Sequence, residues 1–101
     1  MKYNKLVRDR IPEIVKKNGE SPIAHTADDD EYWLKLKEKL REEVEEFAKD
    51  GNEEEMVDIL EVLRAIAEFK GMDMKQLERL RKKKADERGG FSKRVILDET
   101  L

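Results

Sequence analysis

The chain has 101 residues, enough for one domain, with 38% hydrophobic and 47% charged residues and a net charge of −3. A lone domain of this size buries only about two-thirds of the surface its unfolded form exposes, which excludes a deep private core combined with a large enclosed pocket. The absence of cysteine rules out disulfides, thiolate nucleophiles and Cys-based zinc sites.

The acidic balance argues against a nucleic-acid polymer as partner, because such binders rely on releasing counterions from phosphates. The opening run, Met1 to Pro12, is charged and lacks an apolar h-region. No stretch approaches the roughly 20 apolar residues that a membrane span needs. A cytoplasmic address without membrane association is expected, and a second copy of the chain is the expected source of the missing apolar surface.

In chain order, Ile11-Pro12 marks a helix start, because proline suits the first helical turn, and Asn18-Gly19 supplies its stop after Lys17. Residues Glu20 to Ala27 contain Pro22, lack helical periodicity and read as an extended connector. Asp28 to Asp30 cap a long helix from about Glu31 to Asp50, ended by Gly51. Its apolar stripe is Trp33, Leu36, Leu40, Val44 and Phe47, at the three- and four-residue spacing of an amphipathic helix.

Asn52 caps a third helix that runs to about Lys70, with Gly71 as its stop. The very short link at Gly51 forces the second and third helices into an antiparallel hairpin. Met56, Ile59, Leu60, Leu63, Ile66 and Ala67 form one wide apolar face on the third helix, extended sideways by Val62, Ala65 and Phe69. A fourth helix begins at the Asp73 cap, with Gln76 in the capping-box position, and runs to about Glu87 before Gly89-Gly90. The tail, Phe91 to Leu101, holds the apolar run Val95-Ile96-Leu97. It has the makings of a single short strand, with residues Pro22 to His25 as candidate neighbour. The expected fold class is an all-α antiparallel bundle of about four helices.

The acidic residues divide by helical position. At about 100° per residue, Glu43 and Glu46 fall on the flank of the apolar stripe with Lys39, while Glu42 and Glu45 point away. On the third helix Asp58 lies in the middle of the sideways apolar extension, and Glu55 lies one turn earlier, between the apolar patches. An acid so placed loses hydration, at a cost relieved only by pairing, hydrogen bonding or a metal. Across the hairpin Glu43, Glu46, Glu55 and Asp58 can converge on one seam, where four carboxylates repel unless a cation separates them. A hard divalent ion such as Mg²⁺, which prefers oxygen ligands, answers that need better than zinc does.

Structural roles compete with this reading. A run such as Glu42 to Glu46 is ordinarily a solvated helix face, and Glu55 occupies the capping-box position after Asn52. Asp58 has no basic partner one turn away on its own helix. His25 has no partner at ligand spacing and reads as structural or exposed. Trp33 and Phe47 read as core residues.

The run Lys39-Leu40-Arg41-Glu42-Glu43-Val44-Glu45-Glu46, followed by Glu55-Met56-Val57-Asp58, resembles the E-E-x-x-E and E-x-x-D signature of the all-α nucleoside triphosphate pyrophosphatases, which include MazG-type house-cleaning enzymes, dimeric dUTPases and phosphoribosyl-ATP pyrophosphohydrolase. Tyr3 to Pro12 and Glu87 to Arg94 resemble the ends of the phosphoribosyl-ATP pyrophosphohydrolase-like, or house-cleaning, subgroup.

The resemblance implies cleavage between the α- and β-phosphates of a nucleotide, giving a monophosphate and pyrophosphate, in a homodimer or homotetramer. Carried over by position, Glu43, Glu46, Glu55 and Asp58 would hold Mg²⁺, and Glu46 or Glu42 would deprotonate the attacking water. Lys39 is a candidate phosphate contact. So are Arg88, Lys93 and Arg94, around the glycine pair, and Asn4, Lys5 and Arg8 near the start. Phe91, beside the glycines, is placed to reach a nucleobase. Phosphoribosyl-ATP is the alternative substrate. The alternative class is a non-catalytic helical dimerisation or adaptor module, in which Asp58 faces water or a basic partner rather than the other acids.

Overall fold

The structure, a computed structural model, describes residues 2–101 and is all-helical, with no strand among the described residues. Its elements are α1 (Ile11–Lys17), α2 (Asp29–Asp50), α3 (Glu53–Phe69) and α4 (Met74–Arg88). The ends follow the expected chemistry. Asp28, Asn52 and Asp73 each accept a hydrogen bond from the backbone N–H three residues on, satisfying a donor that the first helical turn leaves free. Only α4 closes a full capping box, through Gln76.

Gly51 ends α2 in the left-handed conformation (φ 66°), where its N–H reaches the Phe47 carbonyl at 2.7 Å. A β-carbon is strained there. This residue reverses the chain and sends α3 back along α2. At the far end of the hairpin the Trp33 ring stacks on Phe69 (5.7 Å between centroids) and Tyr32 meets Phe69 edge-on (5.3 Å). Lys37 and Lys70 lie over the Trp33 ring. These two ends fix the register, so the second half of α2 lies against the first half of α3.

The buried hydrophobic core is small: Leu36, Val62 and Ala67. The face of α3 turned to α2 carries Glu55, Asp58, Val62, Ala65, Ile66 and Phe69, all buried or half-buried. Met56, Leu60 and Leu63, expected in the main apolar face, are exposed, as is Val57 beside them. Both flanks of α3 are apolar, and the turn at Gly51 presents the one that carries the acids. Phe47 and Val44 are likewise exposed, which corrects the reading of Phe47 as core.

The expected C-terminal strand does not form. Val95, Ile96 and Leu97 belong to no regular element and are exposed, as is Ile23 in the connector. A three-residue apolar run without a neighbouring ladder cannot satisfy its backbone as a strand. Helix α4 packs on α3, and α1 packs on none of the other helices. The chain is elongated, with a radius of gyration of 17.7 Å against about 13 Å for a compact domain of this length. Among the described residues, no helix is long and apolar enough to cross a membrane.

Candidate metal centre

Glu43, on α2, is the one buried charged residue of the chain's described part. It lies on the flank of the Leu36–Leu40 stripe, and the hairpin register sets it against the first turns of α3. There one oxygen each from Glu43, Glu55 and Asp58 lies within 4.8 Å of the others. Lys39, one turn back on α2, reaches Glu43 Oε1 at 3.2 Å and Glu42 at 3.5 Å. The other Glu43 oxygen, Oε2, is buried without a hydrogen-bond partner. An orphaned acceptor of this kind costs about 1–3 kcal/mol, and more when it carries charge.

The donor set suits a hard cation. Octahedral Mg²⁺ binds oxygen at about 2.0–2.1 Å, so its ligand oxygens stand roughly 3–4 Å apart. The observed spread of up to 4.8 Å lies a little outside that spacing. The Glu55 backbone N–H binds Asn52, but its side chain does not complete the capping box.

Glu46, expected as a fourth ligand, stands outside the trio on the exposed rim. Its carboxyl is held above the usual range, chiefly by the charge of Glu43, then by lost hydration and Glu42. Glu55 is also raised, first by lost hydration and then by the charges of Glu46 and Asp50. These shifts record acids crowded together without enough compensating charge.

Glu42, which helical spacing turns away from the inner pair, lies outside the trio. It is half-buried and accepts a hydrogen bond from Lys5 Nζ at 2.9 Å. Lost hydration is the largest single influence on its carboxyl. The hydrogen bond from Lys5 and the charges of Lys39 and Lys5 outweigh it and hold Glu42 below the usual range. The same bond raises Lys5.

The segment before α1 therefore straps the hairpin. Lys35 Nζ donates to the Asn4 carbonyl at 2.7 Å, and Asn4 itself is left-handed (φ 49°), a conformation asparagine tolerates. Four residues further on, Arg8 Nη2 reaches Asp58 Oδ1 at 2.7 Å. Asp58 thus faces both the other acids and a cation, combining the two environments that were to distinguish enzyme from module. Nothing in the order of residues signals this pair, whose members are 50 positions apart.

Lys5 and Arg8 reach the acids, and Asn4 is tied beside them through its backbone. Arg88, Lys93, Arg94 and Phe91 are exposed, and no ion pair or hydrogen bond among the described residues joins them to the acids. His25, at the other end of α2, bonds Glu31 at 2.9 Å and takes no part.

Fold and site together define an all-α hairpin protein carrying a carboxylate trio suited to a hard cation. No family model and no solved structure matches the chain. Over 42 residues, 42% of the chain, it is 55% identical to an uncharacterized protein of Mycolicibacterium smegmatis. The matched segment covers 43% of that protein, less than half its length.

Proposed function

We propose that this chain is a Mg²⁺-dependent nucleotide pyrophosphohydrolase that cleaves the α–β phosphate bond of a nucleoside triphosphate. The observation that carries the proposal is the buried, unpartnered oxygen of Glu43 beside Glu55 and Asp58. The resemblance of the two acidic motifs to those of the all-α pyrophosphatases supplies the reaction.

On this reading Glu43, Glu55 and Asp58 hold the ion. Bound Mg²⁺ supplies neutralising charge at the phosphates and a water of lowered pKa. Glu46 accepts the proton of the attacking water. Its raised proton affinity, with no ion pair to it among the described residues, suits it to that task better than Glu42, which the Lys5 and Lys39 charges hold below the usual range. Oxygen from water joins the α-phosphorus, the bond from that phosphorus to the bridging oxygen breaks, and pyrophosphate leaves. Lys39, bound to both Glu42 and Glu43, orients the ligand carboxylate rather than the substrate. An assembly of two or more copies belongs to the proposal, since the outer face of α3 and the tail lie bare in the single chain.

The Arg8–Asp58 pair favours the rival reading, a non-catalytic helical module. That pair is roughly half exposed, and such pairs contribute about 0–1 kcal/mol. It therefore does not offset the burial of Glu43 without a partner for Oε2. Hydrolysis in oxygen-18 water tests the reaction: the label is expected in the nucleoside monophosphate. Label in pyrophosphate or orthophosphate would place the attack at another phosphorus and overturn the assignment. Phosphoribosyl-ATP, run in the same assay, tests the alternative substrate.

A further inference from the structure

We propose that Arg8 is a built-in place-holder for the metal, occupying Asp58 while the site is metal-free and turning to the substrate's phosphates once the ion binds. The inference rests on the metal site proposed above and assigns that site a loading step.

The strap carries two cationic contacts of different kinds. Lys5 binds Glu42, which lies outside the ligand trio, and Lys35 ties down the Asn4 carbonyl. Neither contact competes with a metal for its ligands. Arg8 binds Asp58, which lies within the trio, at 2.7 Å. An ion that takes Asp58 must therefore displace Arg8, while Lys5 keeps the strap anchored three residues away.

The displaced guanidinium stays at the rim of the site, tethered and partly exposed. A planar fork of N–H donors in that position matches a polyphosphate bound to the metal. Without metal, Lys39, Lys5 and Arg8 offset the acids only in part, and a divalent ion in place of Arg8 adds compensating charge while the guanidinium's own charge passes to the phosphates.

The experiment is calorimetric titration of Mg²⁺ into the whole protein as wild type, Arg8→Ala and Lys5→Ala, then of inorganic tripolyphosphate at saturating Mg²⁺. Removing the competitor should tighten Mg²⁺ binding by Arg8→Ala about three- to fivefold, the order that an exposed ion pair sets. Lys5→Ala should change it by less than about twofold. Tripolyphosphate should bind Arg8→Ala more weakly than wild type. Unchanged or weaker Mg²⁺ binding by a folded Arg8→Ala overturns the place-holder role, and unchanged tripolyphosphate binding overturns the transfer to phosphate. The NMR signal of the Arg8 side-chain N–H in wild type reads the same exchange without mutation: it should move on saturation with Mg²⁺, and a signal that stays fixed overturns the proposal. Failure of folded wild type and both variants to bind Mg²⁺ would be a different result, removing the metal site itself and the inference with it.

Discussion

Glu42 and Glu46 lie one helical turn apart on either side of Glu43, yet their surroundings pull their protons in opposite directions. For Glu46 the folded-state pKa is raised, chiefly by Glu43. Its ionised form is thus worse off folded than unfolded. Below the unfolded value this has no effect, and as pH rises through the folded value it becomes a loss of stability. For Glu42 the folded value is lowered, so it adds stability above the unfolded value that is lost as pH falls through the folded one. Glu46→Gln should therefore raise the melting temperature of the metal-free protein at neutral pH and leave it nearly unchanged below about pH 4. Melts in chelator at both pH values check this, and a loss at neutral pH would show that Glu46 is held by a favourable contact. The acids of the trio were legible in the sequence because helical spacing sets Glu55 and Asp58 among apolar residues. The partner of Glu42 was not legible, because spacing along α2 cannot register the strap, which brings Lys5 to it from 37 positions away.

At the scale of elements, the helix ends were readable because each is decided locally. Asp28, Asn52 and Asp73 cap their first turns, and Gly51 takes the left-handed turn. The link at Gly51 in turn dictates an antiparallel hairpin, which alone brings Glu43 opposite the start of α3. Which flank of α3 turns inward was not readable, since periodicity scores Met56, Leu60 and Leu63 as highly as Val62, Ala65 and Phe69. The choice is made by contacts between elements, above all the stacking of Trp33 on Phe69. The C-terminal strand failed for the converse reason: strand-forming residues were present, but no neighbouring ladder was. The basic residues around Gly89-Gly90 do not meet the acids, because α4 packs only on α3.

The whole molecule exposes 9599 Å², against roughly 6,000 Å² for a compact chain of its mass. The difference is several times the roughly 800 Å² that one partner buries in a stable interface. Met56, Val57, Leu60, Leu63 and the Val95-Ile96-Leu97 run are among the apolar residues exposed. Light scattering at micromolar concentration should therefore report two or more copies, and a stable monomer would remove the assembly from the proposal. The central claim is that the carboxylate trio supports pyrophosphate release from nucleotides. It is tested most directly by incubating a panel of nucleoside triphosphates with wild type and Glu43→Gln, with and without Mg²⁺, and measuring pyrophosphate directly. Release by wild type with Mg²⁺, abolished by chelator and by Glu43→Gln in a protein that remains folded, is the predicted result. Equal release by folded Glu43→Gln, or orthophosphate as the sole primary product, would contradict the account.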